Sequence, residues 1–438
     1  QHFFCYAIHL SGVPLSQQPP DSESLTLKRT LSLPLLVFYG LGTTIGAGIY
    51  ALVGELAGIS GYLAPLSFLF AGFLAALTAA SFSELSSRFP KAGGAAVFVD
   101  EGFGLTWLTL LAGIGVIAAG VVSSAALMNA FVGYFVTLFQ LQEIDPRVLL
   151  ILVTLALGGL AAWGIAESAR VAALLTLLEV GGLVLVIGAG IDRFGEVPLL
   201  VSRAAETVVQ DGFAHSATLL LGGAMLGFYA FIGFEDMVVV AEEVVQPRRN
   251  MPLGILLTLL VTLLLYMAVM VVSLLAAGPG GLVGVDAPLV EVYQQLSGGD
   301  GRVIALIGGF AIINGALIQI IMASRVLYGL ADRGYLPRLL ARVNPATRTP
   351  LVATSLVVAL VLLMALLGDL VGLAIGTSVL MLSVFGLANL ALLRIKLRET
   401  EHRSETPRSW FSVPIWVPLV GALASWLMVA RELWNALF

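Results

Sequence analysis

Long apolar segments alternate with short polar ones along most of the 438-residue chain. A helix needs about 17–25 mostly apolar residues to cross the hydrocarbon core of a bilayer, so each long segment predicts one membrane-spanning helix. The pattern predicts eleven of them, at 31–56, 62–87, 105–139, 147–165, 169–191, 216–243, 252–278, 302–331, 350–367, 370–393 and 413–431. The third segment is long for one span, and we expect its helix to be tilted.

Composition supports this prediction and excludes several functions. The chain is 59% hydrophobic and only 11% charged, whereas a soluble domain has about 25% charged residues. The single cysteine, Cys5, rules out an intramolecular disulfide framework, and the four histidines show no metal-ligand spacing. The apolar segments contain no nucleophile or metal constellation of an enzyme and no pore-lining ring motif of a channel. We therefore expect a membrane protein that is not an enzyme, without a cofactor, metal or nucleic-acid partner.

Glycines interrupt two of the predicted helices at matching positions. Helix 1 contains TTIGAGIY, with Gly46 and Gly48, and helix 6 contains GGAMLGFYAFIGFED at 222–236. Glycine inside a helix costs about 0.5–1 kcal/mol relative to alanine. One such cluster is also explained by close packing of neighbouring helices. Two clusters five helices apart instead favour a transport site at the middle of the membrane, between two repeats of opposite orientation.

The distribution of basic residues gives the orientation of this arrangement. With the N-terminus in the cytoplasm, seventeen of the 22 Lys and Arg residues lie in cytoplasmic loops or helix ends, as the positive-inside rule requires. The predicted organisation is a disordered cytoplasmic tail at 1–29, a first repeat at 30–191, an extracellular loop at 192–215, a second repeat at 216–393, a cytoplasmic loop at 394–412 and helix 11 at 413–438.

A broken helix offers partners to both charged groups of an α-amino acid. Free N–H groups at the new helix start suit a carboxylate, and free C=O groups at the preceding end suit an ammonium. We place the carboxylate on the amides of Ala47 and Gly48 and the ammonium near the Thr44–Ile45 and Tyr229–Phe231 carbonyls. The predicted substrate-binding residues are Thr43, Thr44, Ile45, Gly46, Ala47, Gly48, Tyr229, Phe231, Ile232 and Glu235.

Five motifs resemble those of the amino acid–polyamine–organocation permeases, and mostly their cationic amino acid transporter branch. They are IGAGIY at 45–50, FSELSSRFPKAGGAAVFV at 82–99, GIAESARVAALLTLLEVGG at 164–182, FYAFIGFEDMVVVAEEVVQPRRNMPLGI at 228–255 and ADRGYLPRLLARVNPATRTP at 331–350. The resemblance implies an all-α, leucine-transporter-like fold with two inverted five-helix repeats, and secondary transport of amino acids by alternating access. It also implies gating roles for Tyr229, Phe231 and Glu235, which match gating positions of the family.

The chain departs from the family pattern at three points. Ala47 replaces a serine or threonine found in many relatives, and the helix count is eleven rather than twelve. Glu179 lies in helix 5 where proton-coupled relatives have a lysine. An ionised acid at this depth costs about 2.5–3.5 kcal/mol. Glu179 either carries a coupling proton, or coordinates a cation together with Ser324 and helix 1 carbonyls, or serves as a structural partner or substrate contact. We favour coupling to H+ over Na+.

The remaining polar residues within the helices leave alternatives open. Glu235 and Asp236 either cap the second half of helix 6 or face a cationic substrate or a gating proton. Adjacent acids do not share a helix face, so Glu235 is the predicted contact. Asn314 is either an interhelical hydrogen-bonding residue or a pocket wall. Charged residues at the cytoplasmic face form either a gate network or plain interfacial charge; they are Glu84, Arg88, Lys91, Glu242, Glu243, Arg248 and Arg249.

Taken together, the sequence predicts a permease of the plasma membrane that is a monomer or homodimer. The apolar stretch IGVIAAGVV at 114–122 favours neutral α-amino acids or a broad range of them. The acids of helix 6 leave a cationic amino acid, polyamine or other organocation open as the alternative substrate. A pure amine is disfavoured, because it lacks the carboxylate that the helix 1 amides would bind.

Overall fold

The computed structural model describes residues 29–437 except 47, 92–93, 140–142, 164–168 and 402–409. Nearly all of the predicted tail 1–29, and part of the loop 394–412, therefore lie outside the described residues. The α-helices of the described part are α1 Leu33–Ile45, α2 Gly48–Ser60, α3 Ala64–Arg88, α4 Gly94–Phe103, α5 Thr106–Phe139, α6 Pro146–Trp163, α7 Ala169–Ala189, α8 Val197–Asp211, α9 Phe213–Tyr229, α10 Pro247–Ala277, α11 Pro288–Ser297, α12 Arg302–Asp332, α13 Leu351–Leu367, α14 Leu370–Glu401 and α15 Trp416–Leu437. A 3₁₀ helix, Phe234–Glu243, continues α9.

Every one of the eleven predicted segments contains helix, which confirms an all-α polytopic fold of the leucine-transporter class. Within the described residues, eight helical stretches are long and apolar enough to cross a bilayer, and the pair α7–α8, bent by 60°, adds a ninth. Helices α1 and α13 are apolar but shorter. The predicted helix 1 is broken into α1 and α2, and the predicted helix 6 is broken into α9 and the 3₁₀ helix. Helix α15 follows the ten helices of the two repeats.

Three helices were not predicted, namely α4, α8 and α11. They have 10, 15 and 10 residues, so none matches the length and continuous apolar character by which a spanning helix is recognised. In α8 only Leu200 is buried, while Arg203 and Glu206 are exposed. The sequence pattern predicts a loop at 192–215 because an amphipathic helix such as α8 is polar on one side.

Packing divides the apolar side chains into a buried core and an exposed outer belt. Helix α12 packs along α5, and α10 packs along α3. Leu152, Leu264 and Leu427 on the outside of the bundle are 60–69% exposed. Exposed leucines on spanning helices are expected where the surrounding solvent is lipid.

At the predicted cytoplasmic side, backbone pairing joins the two broken helices. The amides of Thr30 and Leu31 donate to the Glu243 carbonyl at 2.9 and 3.0 Å, and the Val245 amide donates to the Leu31 carbonyl at 2.9 Å. This short pairing connects the start of α1 to the end of the 3₁₀ helix. The ends of helices 1 and 6 are thereby held as one unit.

A buried ionic network lies on the same side. Glu84 is fully buried and forms salt bridges with Arg88 at 2.5 Å and with Lys396 at 2.8 Å. Arg88 also pairs with Glu399. Lys91 instead pairs with an exposed acid, Glu101. Glu84 and Arg88 therefore belong to an internal network that joins α3 to α14, whereas Lys91 contributes interfacial charge.

Candidate functional site

The break in helix 1 occurs at the predicted glycines. Helix α1 ends at Ile45, Gly46 has φ 18° and ψ −115°, and α2 begins at Gly48. Ala47 lies outside the described residues. A Cβ on Gly48 would come within 2.8 Å of the Ala230 Cα. Glycine at this position therefore lets the two broken helices approach each other closely.

The break in helix 6 follows Tyr229, and the chain resumes as a 3₁₀ helix rather than the α-helix that the sequence suggested. Gly233 has φ 129°, a conformation suited to glycine, and a Cβ there would collide with the Thr43 carbonyl. The Thr43 hydroxyl donates to the Gly233 carbonyl at 3.0 Å. Close contact and this hydrogen bond hold the two breaks side by side.

Tyr266 of α10 completes the junction and was missed by sequence reasoning. Its hydroxyl lies 3.0 Å from the Thr44 carbonyl oxygen and 2.9 Å from that of Ala230. These oxygens belong to the regions where the sequence placed the substrate ammonium. The available signal was a lone tyrosine inside an unbroken apolar helix, because a buried phenolic hydroxyl needs a polar partner.

A central cavity lies between the two breaks and helices α5 and α12. It measures about 30 Å³, room for about two water molecules. Its walls are Thr43, Thr44, Gly46, Gly48, Ser123, Leu127, Tyr229, Ile232, Gly315 and Gln319. Six of the ten predicted binding residues therefore meet at one cavity, which must widen before it can hold an amino acid.

Thr44 is the most informative residue of this cavity. The residue is 3% exposed, and among the described residues its hydroxyl oxygen has no hydrogen-bond partner. A buried hydroxyl without a partner costs about 1–3 kcal/mol. The neighbouring hydroxyl of Thr43 is already used in the junction. Thr44 is thus free to bind a ligand in the cavity, whereas Thr43 has a structural role.

Two predicted binding residues lie elsewhere. Phe231 is fully buried, and its ring centroid lies 5.3 Å from that of Tyr266 and 6.2 Å from that of Phe68. Ile45 is also fully buried and does not line the cavity. Both side chains pack into the core behind the breaks. The contribution of their carbonyls to the binding set, and the gating role of Phe231, stay predictions.

Tyr229 does line the cavity, as the sequence predicted. Its hydroxyl lies 3.1 Å from the Ser123 hydroxyl oxygen of α5. The tyrosine therefore connects α9 to α5 across one wall of the cavity. A gating role for Tyr229 stays a prediction that fits this position.

The two acids after the break line the route that leads from the cavity. A Glu235 carboxylate oxygen accepts a hydrogen bond from the Gly233 amide at 2.8 Å, which is the capping role. An Asp236 carboxylate oxygen accepts from the Gln319 side chain at 3.3 Å. Neither acid lines the central cavity, and both line the next space along the route. Both acids therefore lie at this space, and the assignment of Glu235 as the substrate contact stays a prediction.

The route continues from the cavity toward the predicted cytoplasmic side. Ser123, Ile232 and Gln319 are shared between the central cavity and a constriction of about 10 Å³, room for about one water molecule. Beyond Glu235 and Asp236 the constriction opens into a vestibule of about 190 Å³ that reaches Arg325 and Arg333. Sequence reasoning missed Gln319, which lies at the narrowest part.

Glu179 lies behind the junction, on α7. It is 1% exposed and accepts a hydrogen bond from the Asn314 side chain of α12 at 3.2 Å. The Tyr50 hydroxyl donates to its backbone carbonyl at 2.6 Å. Asn314 is therefore the interhelical residue that one of our two alternatives predicted.

Ser324, the predicted companion of Glu179, lies elsewhere. Its hydroxyl donates to the Ile320 carbonyl of its own helix at 2.7 Å. It follows Asn314 by ten residues, which is about 15 Å along a helix. The Glu179 side chain thus bonds Asn314 in this structure, and a coupling role for Ser324 stays a prediction.

Comparison with known proteins agrees with this geometry. The family model described as amino acid permease matches residues 31–434. The mitochondrial cationic amino acid transporter 3 of Arabidopsis thaliana is 32% identical over 348 residues, 75% of this chain and 56% of its own length. The vacuolar cationic amino acid transporter 2 of the same plant is 31% identical, over 76% of this chain and 54% of its own length.

A bacterial relative matches over a larger share of its length. An uncharacterized transporter of Mycobacterium tuberculosis is 30% identical over 398 residues, 89% of this chain and 86% of its own length. By contrast, this chain spans little more than half the length of the plant relatives. All of these relatives are named as transporters, which agrees with the prediction that the chain is not an enzyme.

Proposed function

The chain belongs to the amino acid permease family, and we propose that it carries α-amino acids across a membrane as a secondary transporter. The observation that carries this proposal is that Thr44 lines a cavity between two broken helices and that its hydroxyl has no partner among the described residues. A polar group is tolerated without a partner in a membrane protein's interior where a ligand completes its hydrogen bonding.

The substrate carboxylate is assigned to the start of α2. The Gly48 residue at this helix end and the Thr44 side chain line the same cavity. A helix N-terminus carries unpaired N–H groups and partial positive charge, which stabilise an anion without any basic side chain. The Thr44 hydroxyl adds a second donor to the same carboxylate.

The substrate ammonium is assigned to the carbonyls at the ends of α1 and α9. The Tyr266 hydroxyl lies within reach of both the Thr44 and Ala230 carbonyls. A hydroxyl has one proton and therefore donates to one acceptor at a time, and each carbonyl has two lone pairs. Acceptor capacity at this junction thus remains for an ammonium beside Tyr266.

Transport by alternating access follows from the sizes of the three spaces. The central cavity and the constriction are too small for an amino acid to pass, while the vestibule beyond them is wider. Release to the predicted cytoplasmic side requires Gln319 and Asp236 to separate, because they close the constriction. Motion of the joined broken helices against α5 and α12 provides this separation.

The cavity walls favour a neutral or broad range of substrates. Leu127, Ile232 and Gly315 provide apolar or small surfaces for a side chain. A cationic amino acid is the second candidate, because Asp236 lies in the next space and relatives are named as cationic amino acid transporters. A polyamine fits less well, since it has no carboxylate for Thr44 and the start of α2.

Substitution of Asp236 separates these two candidates. If a cationic side chain reaches Asp236, Asp236→Asn should weaken arginine binding by about tenfold or more, since a hydrogen bond to a charged group contributes about 1.5–3 kcal/mol. Alanine binding should not change. Asp300→Asn, at an exposed acid paired with Arg302, is the matched control. Equal arginine binding by the wild type and Asp236→Asn would support the neutral assignment.

Coupling is assigned to a proton carried by Glu179. The residue is buried within the spanning helices, where an acid is stable when it is neutral or hydrogen-bonded. The Asn314 side chain provides one such hydrogen bond, and it connects α7 to α12. Proton transfer at Glu179 is therefore able to alter the packing of α7 against α12.

Uptake into proteoliposomes tests the proposed function as a whole. Uptake of radiolabelled amino acids should saturate, should be competed by other α-amino acids, and should respond to an imposed pH gradient. An ohmic current, or competition by polyamines but by no amino acid, would contradict the proposal.

The membrane and orientation also remain proposals. We place the protein in the plasma membrane, as a monomer or homodimer, with its N-terminus in the cytoplasm. Cys5 is the single cysteine of the chain and gives a direct test. An impermeant maleimide should label it only after the cells are permeabilised. Labelling of intact cells would reverse the orientation.

A further inference from the structure

An apolar groove runs between α5 and α12, separate from the transport route. It measures about 180 Å³, larger than the 150 Å³ engineered protein cavity that binds benzene. Its walls include Phe131, Tyr134 and Phe135 of α5, and Leu306, Gly309 and Phe310 of α12. Phe135 lies in a row of mutually tilted rings, 5.5 Å from Phe131 and 4.6 Å from Phe139 between centroids.

The side chains that line the groove provide no free hydrogen-bonding group for water. All of its lining side chains are apolar except for the hydroxyl of Tyr134. That hydroxyl donates to the Tyr50 carbonyl at 2.7 Å and is therefore already satisfied. Water gains no hydrogen bonds in a groove lined in this way, and unfilled apolar space forfeits dispersion contacts along its walls. An apolar occupant is therefore required for good packing.

The position of the groove identifies that occupant. Leu306 and Phe310 are about half exposed on the outside of the bundle, on a helix that crosses the membrane. They follow Arg302, the first residue of α12, by four and eight residues, which is about 6 and 12 Å along the helix. With Arg302 at the level of the headgroups, Leu306 and Phe310 lie at the depth of the acyl chains. The basic residues Arg325 and Arg333 are at the other end of α12, so the adjacent leaflet is the outer one.

We propose that the groove is a binding site for one acyl chain of an outer-leaflet phospholipid. The bound acyl chain packs against the Tyr134 ring. This ring also lies close to the α12 backbone, since a Cβ on Gly308 would be 2.6 Å from it. The Tyr134 hydroxyl in turn holds the Tyr50 carbonyl of α2, the outer half of helix 1. Lipid binding therefore stabilises the conformation in which α2 contacts α5, because a ligand shifts a conformational equilibrium toward the state that it binds.

Photo-crosslinking locates the site directly. The full chain is reconstituted into phosphatidylethanolamine–phosphatidylglycerol vesicles that contain a phosphatidylethanolamine with a diazirine midway along one acyl chain. Peptide mass spectrometry should find lipid adducts concentrated at 131–139 and 305–313. Adducts spread evenly over the exposed faces of α6 and α10, or protein–protein adducts in place of lipid adducts, would overturn the proposal.

Gly309→Leu tests whether the groove itself holds the lipid. A Cβ at this position meets only the Phe131 ring, at 3.7 Å, so the backbone tolerates a side chain that fills the groove. Adducts at the groove should fall about tenfold, the factor expected when burial of two methylene groups is lost. The control is Gly159→Leu, at an exposed glycine of α6 whose Cβ would meet no atom within 4 Å, and it should leave the adducts unchanged.

Thermal unfolding in detergent provides a second readout. Added phospholipid should raise the unfolding temperature of the wild type, and this increment should shrink in Gly309→Leu and in Phe310→Ala, which removes one exposed wall. The Gly159→Leu control should keep the full increment. Equal increments in all four proteins would overturn the proposal, whatever the transport activity of the chain proves to be.

Discussion

Replacement of Thr44 by valine should have opposite effects on stability and on substrate binding. The two side chains have nearly the same shape, so the change removes the hydroxyl and little else. In the described structure that hydroxyl is buried and has no hydrogen-bond partner. Its removal should therefore stabilise the substrate-free protein, although the residue lines the binding cavity.

The magnitudes follow from the role of the hydroxyl in each state. In the substrate-free protein, an unsatisfied buried hydroxyl costs about 1–3 kcal/mol, and valine relieves this cost. In the proposed complex, the hydroxyl would donate to the substrate carboxylate, and a hydrogen bond to a charged group contributes about 1.5–3 kcal/mol. Loss of this bond should weaken binding by about ten- to a hundredfold.

Thermal unfolding in detergent with a series of amino acid concentrations measures both effects in one experiment. Thr44→Val should unfold at a higher temperature than the wild type without substrate, and should need a higher substrate concentration for the same upward shift. Thr154→Val is the matched control, because Thr154 is also buried and its hydroxyl has no partner in the described part of the chain, but it lines none of the three spaces of the transport route. It should gain stability and keep the wild-type affinity. A lower unfolding temperature without substrate, or unchanged affinity, would refute the role assigned to Thr44.

Three further predictions test the rest of the arrangement. Gly48→Ala should abolish uptake, because its Cβ would meet Ala230 at 2.8 Å and overpacking costs about 1–3 kcal/mol; Gly181→Ala, with no atom near its Cβ, should keep wild-type uptake in the same assay. Glu179→Gln should lose uptake driven by a pH gradient but keep amino acid exchange in proteoliposomes, and unchanged concentrative uptake would contradict the proton role. Glu84→Gln should lower the unfolding free energy by about 3–5 kcal/mol, because it breaks a buried ionic network. Glu101→Gln, in an exposed pair, should lower it by only about 0–1 kcal/mol. Equal losses of thermal stability would show that burial does not decide the effect.

Local sequence features predict much of the fold. A bilayer imposes a minimum apolar length on each spanning helix and forbids unpaired backbone groups in lipid. The eleven segments could therefore be counted from hydrophobicity alone. Gly48 and Gly233 carry the information for the two breaks, because each allows a conformation or a close approach that other residues resist.

The identity of the cavity walls could be predicted only in part. Tyr229 and Phe231 are two residues apart, yet one lines the cavity and the other packs behind it. Their difference depends on how the chain rotates through the break, which no periodic pattern encodes. The acids after the break show the same effect, because the 3₁₀ geometry turns both Glu235 and Asp236 toward the route.

The sequence by itself determined an all-helical membrane protein, the eleven apolar segments that contain helix and the position of both breaks. These features depend on residues that are close together along the chain. Only the tertiary structure decided which polar groups meet: Tyr266 at the two carbonyl ends, Gln319 opposite Asp236, and Asn314 rather than Ser324 beside Glu179. Those partners come from helices far apart in sequence, and their contacts depend on how the helices rotate and cross when they pack.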